Sequence, residues 1–165
     1  MDWGTLIAAF LEWSNGLIGA FGYVGVFVVS MLSSASIFLP LSGFLFIIAA
    51  APFLNPLAVG VIAGAGSAIG EMTGYAIGKG SHKALKRKDV KWLNRGEKWF
   101  HEKRGFLFIV IFAATPLPDD VTGILGGMFR YDWKKFLLAS FIGKSLLNLL
   151  LALSGFYGAG LIMGL

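Results

Sequence analysis

The chain has 165 residues, 56% of them hydrophobic and only 14% charged, with a formal charge of +5. Soluble domains carry about 25% charged residues, so this balance excludes an ordinary water-soluble globule. Residues 13–70, a run of 58, contain no Asp, Glu, Lys or Arg, whereas about 20 apolar residues suffice for one membrane span.

Residues 1–15 read as a short amphipathic helix lying at the membrane interface, with Trp3, Leu6, Ile7, Phe10 and Leu11 on one side. Asp2 and Glu12, and the lack of a basic leading segment, argue against a removable signal peptide. Residues 16–33 form a first apolar span. Residues 34–51 form a second block, interrupted by Pro40 and Gly43 and closed by Pro52, Asn55 and Pro56. A full-length span follows over residues 57–78.

Ten of the fourteen basic residues then fall within residues 79–104, which marks that segment as a cytoplasmic loop under the positive-inside rule. Beside apolar spans this charge suits orientation and anionic headgroups better than nucleic acid. Within the loop, "WLNRGEKWFHEKRG" reads as an amphipathic helix, and His82 and His101 are expected to be solvated. Residues 106–129 are apolar but broken by Pro116 and Pro118, and a last span covers residues 136–159.

Charge decides which blocks cross. Arg130, Lys134 and Lys135 mark a second cytoplasmic segment, so residues 106–129 should return to the side they entered from. The same description suits residues 34–56. "PLSGFLFIIAA" from Pro40 and "PLPDDVTGILGG" from Pro116 share a Pro-Leu bend and an apolar rise to small residues. The expected fold is therefore an all-α polytopic membrane protein forming one membrane domain. It is an inverted repeat with two proline-broken re-entrant hairpins and about three full spans. The first repeat covers residues 16–78 and the second residues 105–160, with Pro40, Ser42, Pro116 and Pro118 at the hairpin tips.

Three acids fall at membrane depth: Glu71, Asp119 and Asp120. A charged side chain there costs a few kcal/mol, so each is a candidate for a polar pathway. Bent backbone at depth is tolerated only where it is buried in protein or lines water, so the prolines and the aspartates need the same pocket. The competing reading places Asp119 and Asp120 at the interface as helix caps.

Glu71 lies among Gly66, Gly70, Gly74 and Gly78, whose spacing of four lets another helix approach closely. At 100° per residue Glu71 falls about 20° from Gly78, near that seam. A structural, hydrogen-bonded glutamate is the alternative to a proton- or substrate-facing one. Lys144 is expected to snorkel to the cytoplasmic face, with pairing to an acid as the alternative. Asn148 lies one turn further on and falls opposite Glu71 when Gly66 is aligned with Gly143. The glycines of "GAGSAIG" follow no strand, and the lysine of "GYAIGKGS" has the wrong spacing for a phosphate loop, so neither marks a nucleotide site.

The order of these parts resembles the DedA family, also known as SNARE-associated Golgi or VTT-domain membrane proteins, over roughly residues 22–158. The resemblance rests on "GAGSAIGEMTGYAIGKG", the basic loop, "FAATPLPDDVTGILGGM" and "YDWKKFLLASFIG". Glu71, Gly74, Tyr75, Ile77 and Gly78 fill the acidic and Gly-Tyr-x-Ile-Gly positions of the family's first glycine-rich segment. Its second hairpin usually reads Phe-x-Arg-x-x-Pro-x-x-Arg. Here Phe112 does not fill the first place, Ala113 stands at the first arginine and Asp119 at the second. Ser42 and Gly43 stand where the first hairpin usually has an acid. The chain is thus similar to a divergent branch with aspartate in the second hairpin.

The resemblance implies facing re-entrant hairpins and movement of lipids or polyprenyl-phosphate carriers. The missing arginines remove the usual phosphate clamp. The expectation is a lipid scramblase or flippase, or a proton-coupled carrier of lipid-like substrates, in the plasma membrane of a prokaryote. Glu71, Asp119, Asp120, Asn148 and Lys144 would form its substrate or proton pathway. Expected partners are membrane lipids, anionic or polyprenyl-phosphate among them, with protons and further copies of the chain admitted. No cofactor, metal or enzymatic activity is expected. The alternatives are a non-transporting scaffold acting through its basic loop, and an intramembrane aspartyl hydrolase pairing Asp119 with Glu71.

Overall fold

The computed structural model describes the backbone of residues 21–35, 40–86, 91–101, 103–116 and 120–163. These residues form seven helices: α1 (Phe21–Ala35), α2 (Pro40–Ala50), α3 (Pro56–Lys86), α4 (Lys91–His101), α5 (Lys103–Ala113), α6 (Asp120–Met128) and α7 (Trp133–Met163). No strand occurs among the described residues. The expected interfacial helix of residues 1–15, together with Pro118 and Asp119, lies outside them. So do the side chains of Pro40, Ser42, Asp120 and His101.

Two of the helices, α3 and α7, are long and apolar enough to cross a membrane. Each has 31 residues, or about 46 Å at 1.5 Å per residue, against a hydrocarbon core of about 30 Å. Of the third expected span only Phe21–Ala35 is described, as a shorter apolar helix. The outward surface is apolar, with Val24, Leu32, Val61, Ile77, Leu146 and Leu150 among its exposed side chains. Patches of that kind mark contact with membrane or partner, and here they run along the spans.

Each long helix begins at a side-chain cap. Asn55 Oδ1 accepts from the amides of Leu57 and Ala58, with Pro56 at the first helical position. Asp132 Oδ1 accepts from those of Lys134 and Lys135. The two caps lie 77 positions apart, as do Pro56 and Trp133. The helices run antiparallel, Gly60 and Gly64 of α3 lying against Leu149 and Ser145 of α7. The short helices pack against them. A Cβ at Gly66 or Gly70 of α3 would meet Phe27 O or Met31 O of α1, and one at Gly143 of α7 would meet Val110 O of α5. A Cβ at Gly78 of α3 would overlap Ile124 O of α6, and one at Gly155 of α7 would overlap Ile48 O of α2.

Two expectations are corrected, those for Gly43 and His82. Gly43 does not interrupt its block: it lies inside α2, where a Cβ would come 2.7 Å from Ser33 Cβ, so it lets α1 and α2 approach. The described part of residues 79–104 is helical, because α3 runs on to Lys86 and α4 follows. His82 is buried rather than solvated, since this extension carries it beneath α4. Its Nδ1 lies 2.8 Å from Met128 O and 3.4 Å from Glu97 Oε1. The segment "WLNRGEKWFHEKRG" does contain a helix, α4, whose Phe100 packs on Phe129, Phe108 and Tyr131.

At the basic end α6 stops in a tight reversal. Arg130 and Tyr131 donate back to Gly127 O and Gly126 O, with Arg130 at φ 53°, a left-handed position usually given to glycine.

Gly78→Ala and Gly155→Ala should each lower stability by about 1–3 kcal/mol, as overpacking does. Gly80→Ala, where a Cβ meets nothing within 4 Å, should leave thermal unfolding in detergent unchanged or slightly improved. The amide of Lys135, opposed by desolvation but helped by the amide of Lys134 and both ammonium groups, holds the Asp132 carboxyl below its ordinary range. Its capping contribution is therefore present at neutral pH and lost as pH falls through that lowered value. Asp132→Asn, which can still cap, should flatten the fall of melting temperature between pH 5 and 3.

Candidate functional site

The antiparallel seam of α3 and α7 changes character along its length. Towards the Asn55 end it is lined by small and apolar residues, Val59 and Ala63 against Ala152, in a core completed by Val26, Phe46 and Ile47. Towards the basic end Tyr75 and Phe136 meet at 5.1 Å in an aromatic cluster with Phe100, Phe129 and Tyr131. Between the two plugs lies a polar layer. Ser67 and Glu71 are one turn apart on α3, and Lys144 and Asn148 are one turn apart on α7. On a helix such pairs share a face.

These residues meet across the seam. Lys144 Nζ lies 3.1 Å from Glu71 Oε1, with both residues only 3% exposed. Asn148 Nδ2 donates to Ser67 Oγ at 3.5 Å, and Asn148 is 1% exposed. Shifting either pair by 77 positions gives the other, since 67 maps to 144 and 71 to 148. The four residues therefore form two equivalent rungs about one crossing point.

Lys144 does not snorkel. It stands about 16 Å into α7, and Tyr75 and Phe136 fill the seam between it and the basic end. A charge that cannot reach water needs a counter-charge, and Glu71 supplies one. The contact is an ion pair rather than an aligned hydrogen bond, so neither Glu71 oxygen has a hydrogen-bond partner among the described residues. Asn148 Oδ1, Ser140 Oγ and Ser145 Oγ are buried and equally unpartnered there. The layer thus holds several buried polar atoms without partners among the described residues, in a place where an unmet polar group is costly.

The four expected glycines serve different neighbours. Gly66 and Gly70 lie against α1 and Gly78 against α6, while Gly74 lies under Gly123 of α6. Glu71 faces α7 instead. Asp120 opens α6, and α5 ends at Ala113, where Thr115 Oγ1 bonds back to Phe112 O before exposed Pro116. Ala113 is buried, and a Cβ on Gly143 would lie 2.7 Å from its own. Position 113, where the resemblance expects arginine, therefore lies beside the residue preceding Lys144. Sequence reasoning did not single out Ser67 or Ser140; the matched spacing of 67/71 and 144/148 was the signal for the first.

Residues 35–157 match the model of the VTT domain. The uncharacterized protein MJ0201 of Methanocaldococcus jannaschii is 29% identical over 138 residues, covering 82% of this chain and 84% of its own length. No solved structure matches the chain.

Removing one partner strands a buried charge, so Glu71→Gln and Lys144→Met should each destabilise the protein by about 3–5 kcal/mol. The double substitution should cost far less than their sum. Unfolding in mixed micelles measures the cycle, and additive losses would show that the two groups do not interact.

Proposed function

This chain belongs to the VTT-domain, or DedA, family of integral membrane proteins, for which transport is the role generally advanced, and we propose that it moves lipid-like substrates across the bilayer. The observation that carries this reading is the buried Glu71–Lys144 pair, held in a polar layer between two apolar plugs. A purely structural seam between two spans is more stable when filled with apolar side chains, because buried ion pairs are commonly matched or bettered by hydrophobic replacements. Polar groups at that depth are instead what a headgroup or proton would need.

The architecture we infer is an inverted repeat of two re-entrant hairpins. It is supported by the lengths of α5 and α6, about 17 Å and 14 Å, each short of the hydrocarbon thickness. It is also supported by the matched contacts Gly78–Ile124 and Gly155–Ile48, which place α6 on α3 and α2 on α7. Hairpins entering from opposite faces, with their tips near Glu71 and Lys144, would account for both. In this arrangement the plugs are the two gates, and opening one at a time would expose the polar layer to one side. Protonation of Glu71 would release Lys144 and couple the exchange to pH. Asp119 and Asp120, at the second tip, would extend the polar path, and residues 79–104 would face the cytoplasm.

Liposomes reconstituted with the full chain should transfer labelled lipid between leaflets faster than empty vesicles. Glu71→Gln and Asp119→Asn should each slow that transfer at least about tenfold, the effect of about 1.4 kcal/mol on the barrier. Transfer at the empty-vesicle rate, or rates insensitive to both substitutions, would overturn the reading.

A further inference from the structure

The Glu71–Lys144 pair, flanked by the Asn148 amide and serine hydroxyls, carries no net charge of its own. That neutrality constrains what can enter. A ligand of net charge would leave an uncompensated ion in a medium that cannot solvate it. A ligand carrying both signs would add none. It could replace the internal pair member by member, its anion taking Lys144 and its cation taking Glu71, so that neither protein charge is stranded.

The unpartnered atoms narrow the cation. Glu71 Oε2 and Asn148 Oδ1 are buried acceptors with no donor among the described residues. A primary ammonium brings three N–H donors to such a pair, whereas a trimethylammonium brings none. On the other side Lys144 offers a compact point charge suited to a phosphate.

Resting on the transport reading above, we propose that the Glu71–Lys144 pair is a substrate site selective for a zwitterionic phosphate ester bearing a primary ammonium. The ammonium meets Glu71 and Asn148, and the phosphate meets Lys144. The internal ion pair holds the empty site closed, and the ligand opens it by exchanging one neutral set of contacts for another. The same chemistry is offered by an ethanolamine phospholipid and by soluble glycerophosphoethanolamine.

The test is the thermal stabilisation of purified full-length protein in detergent by short-chain phosphatidylethanolamine, phosphatidylcholine and phosphatidylglycerol, and by glycerophosphoethanolamine. The ethanolamine lipid should bind at least about tenfold more tightly than the choline and glycerol lipids, as a charged hydrogen bond lost would dictate. Binding of the soluble ester as well would point to recognition of the headgroup alone. Binding of the lipid only would point to a bilayer source, and both outcomes support the site.

In Glu71→Gln, where Lys144 leaves a net positive site, the order should invert in favour of phosphatidylglycerol. If that variant does not fold, the wild-type order and the double variant Glu71→Gln/Lys144→Met decide. The double variant, uncharged and expected to fold, should lose the preference. Equal or tighter binding of the choline or glycerol lipid by wild type, or a preference retained by the double variant, would overturn the proposal. Selective binding without transfer in vesicles would overturn the transport reading alone. Transfer without headgroup selectivity would overturn this site alone.

Discussion

A lysine and a glutamate set deep in an apolar seam neutralise each other, as buried charges must be neutralised. That constraint organises the rest of the molecule. The pair requires α3 and α7 to cross antiparallel with residues 71 and 144 level. The same register brings Ser67 to Asn148 and sets Gly60 and Gly64 against α7, where the backbones can close. Tyr75 and Phe136 at one end, and Val59, Ala63 and Ala152 at the other, then keep water from relaxing the pair.

The short helices owe their places to the absence of side chains. Glycines at 66, 70, 78, 143 and 155 present bare backbone to carbonyls of α1, α6, α5 and α2. Within a bilayer little hydrophobic force draws helices together, so close backbone packing of this kind must supply the cohesion. It also shelters broken helices whose ends would otherwise leave carbonyls and amides facing hydrocarbon. Gly43 shows the same logic between α1 and α2, where its contact with Ser33 lets two short helices lie together.

The chain departs from the usual family pattern in a physically coherent way. Where a basic residue is expected on the second hairpin, Ala113 packs against Gly143. The buried cation comes from the next residue of the neighbouring span, Lys144, and is matched to the acid at Glu71.

Much of the organisation was legible in one dimension. Long apolar runs announced the two spans, prolines the breaks between helices, and the basic cluster one end of the molecule. Glu71 and Asn148 could be set opposite each other by aligning Gly66 with Gly143. What composition could not convey was direction. A lysine about three turns into a span reads equally as a snorkelling residue or a buried partner, and only the aromatic plug beyond it decides. His82 was misjudged for a related reason: charge density suggested solvent, but helix continuation to Lys86 and the fold of α4 placed it under protein. Local sequence determines where helices can form and break, because periodicity and backbone propensity act over a few residues. Which side chains become partners is set by helices far apart in the chain, and that was settled only when α3 and α7 crossed.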